Sequence, residues 1–124
     1  TTGEDGTIVI SLIGARGLKA MDRGGTSDPY ARVRIGKNVV AKTKHIKKTL
    51  EPQWNERFEV NVNSAKTTVD IKVKDHNTLQ DVDIGNVVLD LWENVQPNKS
   101  FQGWLPLQPT GTGEVNVSIE FMKK

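Results

Sequence analysis

The feature that constrains this chain most is an alternation of apolar and polar residues with period two, repeated from one end to the other. Val69, Ile71 and Val73 alternate with Asp70, Lys72 and Lys74. Phe58, Val60 and Val62 alternate with Glu59 and Asn61, and Val115, Val117, Ile119 and Phe121 with Asn116, Ser118 and Glu120. Successive side chains of an extended strand point to opposite faces, so each run describes a strand with one buried and one wet face. Ile8 to Ile13 is apolar at nearly every position and reads as a more buried strand. The pattern predicts eight strands, at about 7–13, 29–35, 39–46, 56–62, 68–74, 85–91, 102–106 and 114–121. Residues 90–97 suit a short turn or helix, and no long stretch carries a helical period. Two half-apolar sheets bury their faces against each other, so the expected fold is all-β, an eight-stranded antiparallel β-sandwich.

Length and composition bound what such a sandwich does. The 124 residues amount to one domain. Residues 1–6 read as a flexible N-terminal tail and residues 7–122 as the domain. With no cysteine, a disulfide scaffold, thiolate zinc sites and cysteine nucleophiles are excluded together, and a reducing compartment is the natural fit. No apolar run approaches the ~20 residues needed to span a bilayer, and the polar, acidic start is unlike a signal peptide. The first residue is not Met, which suggests a module of a larger multidomain protein. A net charge of +2 is too small to argue for nucleic acid; its distribution carries the information.

Two long connections, 14–28 and 75–84, carry carboxylates. The first holds Asp22 and Asp28; the second holds Asp75, Asn77, Asp81 and Asp83. Sandwich loops that are distant in sequence meet at one edge of the fold. Five carboxylates and an amide gathered there repel one another unless a cation sits between them. Ca²⁺ takes 6–8 oxygens in a flexible shell, which loops can supply, whereas Mg²⁺ demands a tighter octahedron and zinc prefers other donors. The alternative is that these are ordinary solvated turn aspartates bonded to their own backbone.

Between Asp28 and Glu51 there is no acidic residue, yet the stretch holds seven of the 17 Lys and Arg. Alternation turns Tyr30, Arg32 and Arg34 outward together, and places Lys42 and Lys44 on one face of the next strand. A turn through Gly36, Lys37 and Asn38 sets Arg32 opposite Lys42 and Tyr30 opposite Lys44. Like charges directly across a strand pair destabilise a sheet by up to about 1 kcal/mol. An anion docked on the strip offsets that repulsion, and Arg forks and Lys point charges suit phosphate. The alternative is a solubilising edge, since Lys commonly guards exposed strands.

Leu18 to Asp22, then Ser27-Asp28-Pro29-Tyr30, then the run from Lys48 to Glu56 (Lys-Thr-Leu-Glu-Pro-Gln-Trp-Asn-Glu) resemble the C2 domain, a calcium- and lipid-binding β-sandwich. The likeness spans about Gly6 to Phe121. With its last strand added at the C-terminus, the chain resembles the permuted, type II order, and more loosely the C2 domains of tricalbins and extended synaptotagmins. The resemblance implies a Ca²⁺ site. Asp22 and Asp28 fall on the first-loop pair and Asp75 on the first acid of the second loop. Asn77 stands where the family usually has an Asp. Val82 stands where the last ligand usually sits, with Asp81 and Asp83 flanking it, and either acid can serve. The resemblance also implies a phosphoinositide-binding strip at Tyr30, Arg32, Lys42 and Lys44.

The leading expectation is therefore a peripheral membrane-targeting module on the cytoplasmic side. It binds anionic lipids, phosphatidylserine through Ca²⁺ and phosphoinositides through the strip, with Leu79 placed for shallow insertion and Arg23 for a phosphate contact. The rivals are a calcium-independent lipid module and a protein-interaction domain. Trp54 reads as packing beneath the carboxylate loops, and Trp92 and Trp104 as core or rim packing. An enzyme is the least supported class. Neither His45 nor His76 has a nucleophile placed beside it by a recognisable motif, and no nucleophile elbow, phosphate loop or H-E-x-x-H is present.

Overall fold

The alternating runs become two four-stranded antiparallel sheets packed face to face. The computed structural model describes residues 5–19, 27–63, 67–77, 80–95, 100–108 and 112–123. In chain order the elements are β1 (Gly6–Arg16), β2 (Pro29–Ile35), β3 (Asn38–Lys42), β4 (Gln53–Val62), β5 (Thr68–Asp75), β6 (Val82–Asp90), α1 (Leu91–Asn94), β7 (Phe101–Pro106) and β8 (Glu114–Lys123). One sheet has the order β4-β1-β8-β7 and the other β3-β2-β5-β6. The last strand thus enters the sheet between β1 and β7, the permuted order expected from the strand added at the C-terminus.

The core is the set of inward positions. Ile8, Ile10 and Leu12 of β1, with Val115, Val117 and Ile119 of β8, face Ala31 and Val33 of β2 and Val69, Ile71 and Val73 of β5. All are essentially inaccessible to water. Each Val, Leu or Ile so buried contributes about 1.5–3 kcal/mol. Opposite the end where β5 stops at Asp75, α1 closes the sandwich. Asp90 caps it, accepting the N–H groups of Trp92 and Glu93, and Trp92 packs edge-on against Phe121.

Three strand limits depart from the expected ones in ways that shape the site. β3 stops at Lys42, not 46, because Thr43 turns its side chain into the ladder. Its hydroxyl accepts the Ala31 N–H at 2.9 Å, while its own N–H donates to the Ala31 carbonyl. β6 starts at Val82, so Asp83 lies in a strand and not in the loop. β4 starts at Gln53, because the β1–β4 register jumps from Leu12↔Glu56 to Gly14↔Gln53 and absorbs Asn55 at φ 50 as a bulge.

That bulge explains Gly14. A Cβ there would sit 2.5 Å from the Pro52 carbonyl oxygen, which also accepts the Ala15 N–H at 3.0 Å. Gly14→Ala should destabilise the domain by about 1–3 kcal/mol, the range for forced overpacking. Urea unfolding measures it, and an unchanged midpoint would mean the strands do not approach so closely.

Candidate functional site: a carboxylate rim beside a cationic sheet face

The Ser-Asp-Pro-Tyr run and the run from Lys48 to Glu56 are laced together by backbone bonds. Buried Ser27 offers its carbonyl to the Thr49 N–H at 2.9 Å and donates its hydroxyl to the Lys19 carbonyl. The Pro29 carbonyl accepts both the Ile46 N–H and the Trp54 indole N–H, at 3.0 and 3.1 Å. Asp28 Oδ1 accepts the Lys48 N–H at 2.8 Å, with Lys48 held at φ 53. The Glu56 carboxylate accepts the Lys44 N–H. Segment 43–52 is thereby strapped under the first loop, and Trp54 packs there as expected.

The second loop joins the first through Asp75, whose side chain is buried. Asp75 Oδ1 accepts the Asp28 N–H at 2.8 Å, and the His76 N–H donates to the Asp28 carbonyl at 2.9 Å. Asp28, Asp75, Asn77 and Asp81 therefore share one end of the sandwich. Their side chains offer oxygen donors alone, the chemistry of a hard cation such as Ca²⁺. Among the described residues no three His, Asp or Glu side chains close around a common point. Asp22, Arg23 and Leu79 lie outside the described residues.

Asp81 and Asp83 go different ways. Asp81 Oδ2 accepts the Tyr30 hydroxyl; its Oδ1 accepts the Asn77 N–H at 3.1 Å and lies 3.4 Å from His76 Nδ1. These bonds, the Tyr30 hydroxyl first, hold the Asp81 carboxyl below the usual carboxylate range. Asp83 instead turns onto the outer face of the second sheet, 3.4 Å from both Lys72 Nζ and Lys74 Nζ. Burial works against its ionisation, but the two ammonium groups outweigh it and lower its pKa. The reason for the split is a register shift in the β5–β6 pair. After Val73↔Gly85 the next pair is Lys74↔Asp83, so Asp83 faces the lysines and not the rim.

On that outer face the hairpin register is confirmed at Arg32↔Lys42. Tyr30 opposite Lys44 is corrected: Lys44 lies past the end of β3, and Tyr30 is flanked by Lys74 of β5. Two cations were missed. β5 runs beside β2 with Arg32↔Lys72 and Tyr30↔Lys74, so Lys42, Arg32 and Lys72 form one row across three strands. The alternation had already marked Lys72 and Lys74 as wet-face residues; what it lacked was which strand lies next to β2. Arg34 completes the face opposite Asp70. Among the described residues Arg32 Nε and Arg34 Nε are buried without a hydrogen-bond acceptor.

Tyr30 joins the two regions. Its ring is buried, Lys42 Nζ lies 4.9 Å over it, and its hydroxyl reaches the second loop at Asp81. The chain's two histidines, His45 and His76, stack at 4.2 Å and pin segment 43–46 to the same loop.

A two-sheet antiparallel sandwich whose strand-connecting loops gather acids at one end, beside a basic sheet face, is a known class of module. A family model for the C2 domain matches residues 6–107. Human extended synaptotagmin-1 is 34% identical over 124 residues, covering 94% of this chain. Mouse multiple C2 and transmembrane domain-containing protein 1 is 39% identical over 100 residues, covering 80%. The calcium-bound structure of two C2 domains of extended synaptotagmin 2 superposes with a TM-score of 0.87 at 25% identity, over 99% of this chain and 48% of that one. This chain belongs to the C2 domain family. It spans only about a tenth of the length of the curated relatives it matches: 11% and 10%.

Tyr30 is the only tyrosine, so its ionisation can be read directly by ultraviolet absorbance. Burial first, and then the bond to Asp81, push its pKa up from 10.0 to about 12. The folded-state pKa is raised, so its stabilising effect is complete below the ordinary phenol pKa and is lost as pH rises through about 12. The same bond depresses Asp81, whose contribution holds above the ordinary carboxylate pKa and is lost as pH falls through its lowered one. Asp81→Asn should move the tyrosinate midpoint down while leaving it above 10.0, because burial remains. A midpoint that Asp81→Asn leaves unmoved would mean the hydroxyl is not held by Asp81.

Proposed function

We propose that this chain is a membrane-targeting module that docks its cationic sheet face on anionic lipid headgroups, phosphoinositides above all. One observation carries the reading: Lys42, Arg32 and Lys72 stand side by side in register across three strands. Directly opposed like charges work against a sheet, and Asp83 offsets only the Lys72–Lys74 end of the patch. A phosphate on the Arg32 side supplies the missing counter-charge. Each basic side chain near an anionic surface adds about 1 kcal/mol of attraction.

At the rim we assign Ca²⁺ to Asp28, Asp75 and Asn77, with Asp22 from the first loop. The ion supplies positive potential and a bridge to a headgroup phosphate such as that of phosphatidylserine. Support comes from the all-oxygen donor set and from the calcium-bound extended synaptotagmin 2 relative. Asp81 and Asp83 drop out of this ligand set, since one holds Tyr30 and the other the lysines. With Asn77 replacing a charge, the site is weak and suits one ion. Peripheral association with the membrane follows; among the described residues no helix is long and apolar enough to cross a bilayer. A second reading, lipid binding without calcium, is favoured by the engagement of Asp81 and Asp83.

Co-sedimentation with phosphatidylcholine vesicles containing phosphatidylserine and a phosphoinositide separates the readings. Arg32→Ala with Lys42→Ala should lower partition roughly thirtyfold, the equivalent of two lost contacts. EGTA should weaken binding to phosphatidylserine and leave the phosphoinositide part. Equal binding with and without EGTA would establish the second reading, and unchanged binding by the double variant would remove the first claim.

A further inference from the structure

The two sheets have four edges, and three of them are guarded. β3 is only five residues long and carries Lys42 at its end. β6 is bridged by Gln108, which exchanges two backbone hydrogen bonds with Asn86, at 3.0 and 2.8 Å. β7 spans six residues and ends on Pro106, which has no N–H to offer. β4 is different. It runs ten residues and, among the described residues, is paired with β1 alone. Its inward carboxylate, Glu56, is already bonded to the Lys44 N–H. From Arg57 to Val62 it contains no proline, no glycine and no inward-pointing charge, the usual devices that stop an edge from pairing.

Its inward side chains are also incompletely covered. Phe58 and Val60 are only half-buried, while their β1 partners Ile10 and Ile8 are fully buried. On the outward face Arg57 and Glu59 are exposed and take no ion-pair partner among the described residues.

We propose that β4 is a self-association edge, pairing antiparallel with β4 of a second copy about a twofold axis at Phe58. Charge selects that register. Centring on Arg57 sets Arg57 against itself, and centring on Glu59 sets Glu59 against itself. Centring on Phe58 sets Arg57 against Glu59 of the other copy twice and brings the two half-buried Phe58 side chains together. An isologous contact of this kind closes on itself, so the assembly stops at a dimer. The twofold stands perpendicular to the sheet, which fixes the geometry. The two loop rims point in opposite directions, and the two cationic faces look the same way. Two weak headgroup contacts are then presented to one surface, where effective concentration multiplies them.

Sedimentation velocity on the 124-residue chain, from about 10 µM to about 1 mM, tests this. The unaltered chain should pass from monomer to dimer with concentration. Arg57→Glu alone and Glu59→Arg alone should each weaken self-association by about tenfold or more, since both cross-strand pairs turn repulsive. The double reversal should restore it, because opposite charges then face each other again with their places exchanged. Circular dichroism on each variant checks folding, and rescue by the double reversal excludes misfolding as the cause of the loss. A monomer at every concentration would overturn the proposal, as would a dimer indifferent to either single reversal. Neither outcome bears on vesicle binding by the monomer, so this proposal and the headgroup reading fail separately.

Discussion

The arrangement depends on how the β2–β5 ladder is closed at its last rung. Pro29 pairs with Asp75 and has no N–H to donate. The Asp75 side chain takes the Asp28 N–H one residue back, and the Asp28 carbonyl takes the His76 N–H one residue on. A buried carboxylate is costly unless it is hydrogen-bonded or paired, so this position is strongly specified. Two consequences follow. The first and second loops are held to one end of the sandwich, and the β2–β5 register is locked so that Arg32 meets Lys72 and Tyr30 meets Lys74.

The rim and the cationic face are therefore parts of one electrostatic unit. Asp83, an apparent rim acid, crosses to the face and offsets part of the charge on its β5 side. Tyr30, an apparent face residue, reaches back to the rim through Asp81. Each exchange removes one group from the role its sequence position suggests. What stays at the rim is a smaller, all-oxygen set. What stays on the face is a charge excess concentrated toward β2 and β3, where Lys42 and Arg32 have no carboxylate opposite them in the ladder.

Much of this was legible in the chain. Period-two alternation, together with the apolar run at Ile8 to Ile13, located the eight strands, because burying one face of a strand is the dominant energetic term and leaves its mark on every second residue. The Ser-Asp-Pro-Tyr and Trp-Asn-Glu runs pointed to the right end of the fold, and the structure shows why they occur together: they bond to each other's backbones. Local irregularity was not legible. Thr43 ends β3 by substituting its hydroxyl for a ladder carbonyl, although Lys42 and Lys44 continue the alternation. The slip after Val73↔Gly85 pairs Asp83 with Lys74 and puts it on the cationic face, whereas its neighbour Asp81 stays at the rim. Lys72 and Lys74 were visible as surface lysines, but the contact with Arg32 is a property of strand order, which alternation does not encode.

The central claim is that the Lys42–Arg32–Lys72 row is an anion site built by the locked β2–β5 register. A crystal structure with a soluble inositol phosphate tests it most directly. The account requires a phosphate group within hydrogen-bonding distance of the Arg32 guanidinium and the Lys42 ammonium, with the Asp28 N–H still on Asp75. A phosphate bound on the other sheet, or an empty cationic row under saturating ligand, would contradict it.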